Sequence, residues 1–212
     1  MAVRNYIIIK HYNMSTLYVL LDAGHGSNTP GKCSPDKSIR EYLYTREIAA
    51  AVYQRLLDIP NIKPVLITPE LQDIPLAVRV QRINKYCTQY GSSNCILFSI
   101  HLNASGNGQW MAARGWSVWT TRGQNNSDKL ATLMYKVAVQ LFGHGSCRKD
   151  MADGDPDYES NFYIIKGANC PAILTENFFQ DNKFDVEYLL STEGFNNIVA
   201  LHVETAKLWG NK

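Results

Sequence analysis

Short apolar runs alternate along the chain with longer stretches in which apolar residues recur every three or four positions. Runs such as "LYVLL" and "CILFSI" are too short for helices and are rich in β-formers, so the pattern predicts strands at 17–22, 64–68, 95–100, 115–121, 161–165 and 172–175. Helical periodicity predicts helices at 39–57, 77–89, 128–142 and 193–209. In the last of these, Phe195, Ile198, Val199, His202, Ala206 and Trp209 share one face, a stripe suited to packing on a sheet. Strands that are apolar at successive positions need cover on both faces. The expectation is therefore an α/β fold in a single domain: a twisted, mostly parallel (mixed) six-stranded sheet with helices on both faces. Segment 115–121 alternates more and is the candidate antiparallel strand. Residues 1–13 fit no element and are set aside as an N-terminal extension, with Met14 as an alternative start and the domain assigned to 14–212.

Composition narrows this picture only slightly. With 212 residues, 45% of them hydrophobic, the chain can bury one substantial core and has little room for a second domain. A formal charge of +2, with no basic run interleaved with aromatics, argues against a nucleic-acid partner. No apolar segment approaches the roughly 18 residues of a membrane span, and the stretch from Tyr6 to Ile9 is too short for a signal-peptide core, so no export signal is expected in the chain as given. The five cysteines show neither CxxC pairs nor zinc-ribbon spacing and are read as mostly reduced, with no disulfide indicated and Cys87, Cys95 and Cys170 as small core residues.

Chemistry enters where strands end. In "YVLLDAGHGSNTPGK" a strand breaks into His25 between two glycines, and in "CILFSIHLNAS" another runs into His101. In "PAILTENFF" a third is followed by Glu176, while Glu41 opens the first helix in "SIREYLYTREIAAAV". Open α/β sheets bind ligands beyond the carboxyl ends of their strands. Two histidines and a carboxylate there leave a fourth position open on zinc, the arrangement of a hydrolytic site. Each residue also has a plainer explanation. His25 could be a turn residue bonded to backbone, and His101 a satisfied histidine at the sheet edge. Ser38 and Glu41 match an S-x-x-E capping box. Glu176 could be a surface carboxylate paired with a lysine, although the apolar run before it makes an unpaired charge costly. What favours a site is that all four fall at one edge. His144 sits in a second GHG string but follows a predicted helix, so Gly143 reads as a helix C-cap and His144 as a decoy.

The strings "LLDAGHG", "REYLYTREIA", "LFSIHLNAS" and "PAILTENFF", in this order, resemble the zinc-dependent N-acetylmuramoyl-L-alanine amidases, which cut bacterial peptidoglycan. The resemblance runs from about Tyr18 to Leu208 and implies that one zinc ion is bound by His25, Glu41 and His101, with Glu176 as the catalytic residue. Leu76, Arg79 and Asn84 fit the family's L-x-x-R…N segment, and Phe179 with Asn182 fits its F-x-x-N. Two departures stand out: Thr68-Pro69 replaces a T-R pair, and Asn177-Phe178 replaces a glycine. The implied reaction is hydrolysis of the amide between the lactyl group of N-acetylmuramic acid and L-alanine of the stem peptide, with Glu176 carrying the proton. Peptidoglycan or muropeptides are the implied partners, and a monomer is favoured. About ten residues, "GNGQWMAARG", follow "HLNAS" before the next strand, too few for the inhibitory helix of larger family members, so an open site is expected. The polar loop 143–161 is either a wall for substrate or a mobile surface connection. The alternatives are another zinc peptidase or carboxypeptidase on cell-wall peptides, or a non-catalytic wall-binding module. Action in the bacterial envelope and action as a phage lysin both remain open.

Overall fold

The structure, a computed structural model, describes residues 15–211. The expected extension over 1–13 and the alternative start at Met14 lie outside these residues. The described residues form six strands: β1 (Leu17–Ala23), β2 (Ile62–Leu66), β3 (Cys95–Asn103), β4 (Ser117–Thr120), β5 (Tyr158–Glu159) and β6 (Ala172–Phe179). They form one sheet in the order β2-β1-β3-β6-β4-β5. The first four in that order run parallel, β4 is antiparallel to β6 as segment 115–121 suggested, and β5 pairs in parallel with β4. Among the described residues six α-helices accompany the sheet: α1 (Glu41–Leu57), α2 (Leu76–Tyr90), α3 (Asn126–Phe142), α4 (Tyr163–Gly167), α5 (Lys183–Leu190) and α6 (Thr192–Gly210).

Period-two alternation within the apolar strands builds two cores. Val19, Leu21, Ile96, Phe98 and Ile173 point to one face, where Ile48 and Val52 of α1, Met134 of α3 and Ile198 of α6 cover them. Leu20, Cys95, Leu97 and Leu174 point to the other, under Ile83 and Cys87 of α2 and Ile164 and Ile165 of α4. Each fully buried Leu, Ile or Phe contributes about 1.5–3 kcal/mol, which is why successive positions of a central strand are all apolar. The expected three-layer α/β architecture is thus the observed one.

Four details differ from the sequence expectation. The predicted strand at 161–165 is instead the short helix α4, and the sixth strand is β5 just before it. In a strand Ile164 and Ile165 would face opposite sides, whereas one helical turn lets both pack into the same core. Asn84 of α2 fixes that turn by donating to the Gly167 carbonyl and accepting from the Asn169 amide, both at 2.8 Å. Helix α5 was not anticipated; Asn182 caps it by accepting from the amides of Phe184 and Asp185. Strands β3 and β6 run past Ile100 and Thr175, so His101 and Glu176 are strand residues rather than loop residues. Strand β2 begins two residues early and carries Pro64 in its middle, tolerable because β2 is a sheet edge.

Behind the sheet edge runs a buried polar chain. His202 of α6, 0% exposed, hydrogen-bonds through Nδ1 to the Ile198 carbonyl at 2.8 Å, so Nε2 is left to accept from the Thr175 hydroxyl at 3.2 Å. Thr175 Oγ1 in turn accepts from Asn177 Nδ2 at 3.0 Å, and Asn177 accepts from the Trp116 indole and donates to the His101 carbonyl. Burial lowers the His202 pKa to about 4, and the Ile198 bond only partly opposes it. The unfolded chain therefore takes up this proton first. Stability from His202 is complete above the unfolded value of about 6.5 and falls as pH drops toward 4, by about 3 kcal/mol at roughly 1.4 kcal/mol per unit. His202→Leu should weaken the protein at pH 7 yet lose less further stability between pH 7 and 4.5 than the parent does. Parallel urea titrations at the two pH values check this; equal losses would mean that His202 is not held neutral.

Candidate metal centre

The amino end of α1 lies over the carboxyl ends of β1 and β3, and three predicted residues meet there. Glu41 is the first residue of α1 and 1% exposed. His101 Nδ1 approaches Glu41 Oε1 at 3.1 Å, and His25 Nε2 approaches the same oxygen at 3.4 Å. The two imidazoles stand edge to face, with centroids 5.1 Å apart at 89°. One donor atom from each of the three residues lies within 4.8 Å of the others, close enough to share a single cation.

The capping-box explanation for Glu41 fails on geometry. The helix N-cap is Arg40, with no side-chain cap, and Ser38 Oγ donates instead to Asp36. Glu41 Oε1 accepts from the Leu102 amide at 3.1 Å, and Oε2 accepts from Gln180 Nε2 at 2.8 Å. The carboxylate thus faces inward, toward the histidines.

His25 occupies the left-handed region, with φ of 57°, a conformation that costs a non-glycine residue free energy unless its surroundings impose it. Two arginines impose it. Arg46 of α1 donates to the His25 carbonyl at 2.9 Å, and Arg79 of α2 donates to the same oxygen at 3.2 Å. The flanking glycines are needed for space. A Cβ on Gly24 would sit 2.5 Å from the His101 ring, and one on Gly26 would sit 1.9 Å from the backbone of Asp73. Arg79 is itself held by Asp22, a buried pair at 2.9 Å with side chains 2% and 1% exposed, and by Asp73 at 2.7 Å. Ser99 Oγ donates to the other oxygen of Asp22 at 2.7 Å.

Glu176 stands beside the three donors. His101 and Glu176 are register partners on adjacent parallel strands, so their side chains leave the same face of the sheet. Its Oε2 is buried without a hydrogen-bond partner. Burial pushes its pKa up to about 7, against the lowering influence of His101. Burial also lowers His25 to about 4, with the Glu41 charge pulling the other way, so this imidazole is neutral and free to act as a ligand at pH 7. Burial opposes ionisation of Glu41 as well, but hydrogen bonding and charge from His101 outweigh it and keep the carboxyl below its usual value. For His101 the balance is similar: burial disfavours the cation, and the Glu41 contact raises the pKa nonetheless.

Two clefts flank the cluster. One of about 460 Å³ is bounded by Lys32, Ser34, Lys37, Asn107 and Gln180, and one of about 380 Å³ by Asp73, Leu76, Arg79, His101 and Ile164. No helix is formed between β3 and β4, in line with the expected open site. His144 is exposed in the turn after α3 and takes no part in the cluster, while Gly143, with φ of 78°, closes that helix by donating to the Val139 carbonyl. Arg46 and Gln180 escaped sequence reasoning. Arg46 lies in the "REYLYTREIA" string, yet its role depends on a carbonyl brought to it by β1. Gln180 gives no local signal, since its partner Glu41 is far away in sequence.

An α/β sheet with an imidazole and carboxylate donor set gathered at the carboxyl ends of its strands defines a domain able to hold a cation. The family model described as N-acetylmuramoyl-L-alanine amidase matches residues 19–206, and the chain belongs to that family. It is 25% identical over 186 residues to the N-acetylmuramoyl-L-alanine amidase CwlM of Bacillus licheniformis, covering 87% of this chain and 65% of that protein's length. Among solved structures, an N-acetylmuramoyl-L-alanine amidase from Clostridium difficile 630 superposes with a TM-score of 0.77 at 22% identity, covering 93% of this chain and 98% of that one. The catalytic domain of CwlV from Bacillus (Paenibacillus) polymyxa var. colistinus gives 0.71 at 21% identity, covering 91% and 96%. The catalytic domain of the CD27L endolysin, which targets Clostridia difficile, gives 0.62 at 22% identity over 91% and 97%. These structures share the fold of the present chain.

Arg79→Met would leave the Asp22 charge buried and release one of the two clamps on His25. Breaking a buried pair in this way costs about 3–5 kcal/mol, whereas Arg82→Met at the half-exposed Glu70 pair should cost at most about 1 kcal/mol. Urea denaturation of the two variants side by side checks the contrast; equal losses would refute the buried-clamp account.

Proposed function

We propose that this chain is a zinc-dependent N-acetylmuramoyl-L-alanine amidase. On this reading it hydrolyses the amide joining the lactyl group of N-acetylmuramic acid to L-alanine of the peptidoglycan stem peptide. His25, Glu41 and His101 would hold one zinc ion: two neutral-capable imidazoles and a carboxylate suit zinc, and three protein ligands leave a position for water or substrate. When bound there, zinc supplies an acidified water and a Lewis acid for the amide carbonyl.

The observation that carries the reading, beside family membership, is the placement of Glu176. Its carboxyl is next to the three donors but not among them, in a half-buried residue whose Oε2 is buried and unpaired, with a pKa raised to about 7. A carboxyl titrating near neutrality can take a proton from attacking water and return it to a departing amine, as general base and then general acid. Glu176 Oε2 is the atom left free for that transfer. Arg46 and Arg79 hold the His25 backbone and Gln180 holds Glu41, so the donors keep their geometry as substrate binds. An extended substrate would lie across the two clefts, with the scissile bond at the ridge between them.

Mass spectrometry of fragments released from purified peptidoglycan tests the bond assignment, because amidase cleavage separates intact glycan from intact stem peptide. Cleavage inside the peptide would make the chain a peptidase instead. The protein as purified should hold about one zinc per chain, and His25→Ala or His101→Ala should lose metal and activity together. His144→Ala should keep both. Full zinc in either of the first two variants, by elemental analysis, would dismantle the ligand assignment.

Glu176→Gln separates chemistry from metal binding. Glutamine keeps the shape of the side chain but cannot carry the proton, so release of muropeptides should fall about 10²- to 10⁴-fold while zinc content stays. Near-normal release would remove Glu176 from the mechanism, and zinc loss would make it a ligand.

A further inference from the structure

The other end of the sheet carries a second group of oxygens. Strand β4 runs antiparallel to β6, with Ser117 opposite Glu176 and Trp119 opposite Leu174, so Thr120 ends β4 at the edge remote from His101. Around Thr120 gather Asp128, in the first turn of α3, and Asp155 and Asp157, from the "DGDPD" stretch of the loop between α3 and α4. One carboxylate oxygen from each of the three lies within 4.8 Å of the others. Asp128 is 2% exposed and Asp157 is 1% exposed. Thr120 Oγ1 bonds to Asp157 Oδ2 at 2.5 Å and to Asp128 Oδ1 at 3.2 Å, and Gln124 Nε2 donates to Asp155 Oδ2 at 2.7 Å. Of the remaining oxygens, Asp128 Oδ2 accepts from the Asn125 amide, while Asp157 Oδ1 and Asp155 Oδ1 are buried with no donor.

We propose that Asp128, Asp155 and Asp157, with the Thr120 hydroxyl beside them, form a calcium site that fastens the loop between α3 and α4 to the end of the sheet. Calcium takes oxygen ligands at about 2.3–2.6 Å, so two donors on one ion lie at most about 5 Å apart, and the cluster satisfies that limit. The donors are all hard oxygens, with no imidazole or thiolate to favour zinc. Calcium also tolerates irregular, carboxylate-rich geometry, whereas magnesium requires near-ideal octahedral coordination and retains waters. Among the described residues no lysine or arginine forms an ion pair with any of the three aspartates, so three close carboxylates have no other countercharge. Burial, then the neighbouring Asp155, drives Asp157 up to about 8, and burial raises Asp128 as well. The ion would join three separate parts of the chain: the end of β4, the start of α3 and a loop with little regular structure of its own.

The test uses the full chain, loaded with zinc and then desalted into calcium-free buffer. Equilibrium dialysis against calcium chloride followed by elemental analysis should find one calcium per chain. Thermal melts should rise by about 5 °C at saturating calcium, and trypsin cleavage at Arg148 and Lys149 should slow. Asp157→Asn should abolish the calcium-dependent rise and change the melting point measured in its absence little, because burial already holds Asp157 uncharged near neutral pH and the asparagine amide is likewise uncharged. Asp155→Asn, at a half-exposed position, should weaken calcium binding at least about 10-fold and decides the matter if the first variant fails to fold. His25→Ala should keep the full calcium response, which separates this site from the proposed zinc centre. No calcium uptake by the parent, an unchanged response in the folded variants, an equal response to magnesium, or loss of the response in His25→Ala would each overturn the assignment.

Discussion

Burying the carboxylate of Glu41 at 1% exposure costs several kcal/mol unless its charge is met from several directions. The molecule meets it with four groups drawn from three parts of the chain: the ring of His25 after β1, the ring of His101 and the amide of Leu102 on β3, and the side chain of Gln180 after β6. None of these can shift far without leaving a buried charge short of a partner. The start of α1 is therefore registered against the sheet edge by electrostatics as well as by packing. Helix α1 also supplies Arg46 and α2 supplies Arg79, so the left-handed backbone at His25 is held from both faces of the sheet. The candidate site is in this sense the place where both helical layers are locked to the strands.

Strand β6 makes a second commitment. His101 pairs with Glu176, but Asn103 pairs with Phe179, so β6 spends one more residue than β3 over the same span. The extra residue is a bulge at Asn177-Phe178, and Phe178 adopts φ of 68°. A glycine would adopt that conformation without strain. Here the buried ring of Phe178 packs against Phe142 and Tyr188 instead, and Asn177 bonds to Trp116, Thr175 and the His101 carbonyl. The departure from the family string noted in the sequence is thus compensated by aromatic packing and a polar chain that continues to His202.

The layered fold was legible because burial on both faces leaves an unmistakable run of apolar strand residues, and because each of four long helices keeps its period. Alternation in 115–121 reported the antiparallel strand for the same reason. Where the reading failed, local pattern and tertiary packing disagreed. Ile164 and Ile165 look like a strand, but the core under α2 accepts both of them from one helical turn. Asn182 is a strong cap, yet the helix behind it is short and adjoins α6. His25, Glu41, His101 and Glu176 could be singled out because strand ends in an open α/β sheet share an edge, whatever the intervening sequence. Gln180 and Arg46 could not, because each acts on an atom delivered by a different element. Ser38 and Glu41 match a capping box in spacing, and only the direction of the Glu41 side chain distinguishes a helix cap from an inward-facing carboxylate.

Among the described residues, the two borders of the sheet are built in different ways to the same end. Strand β2 carries Pro64 at its centre, so its outer row of backbone groups is one donor short. At the opposite border β5 has only Tyr158 and Glu159. A neighbouring chain seeking to add a strand would find an interrupted ladder on one side and a two-residue one on the other. The sheet is thereby protected from edge-to-edge pairing by its own borders, at the expense of a few backbone hydrogen bonds.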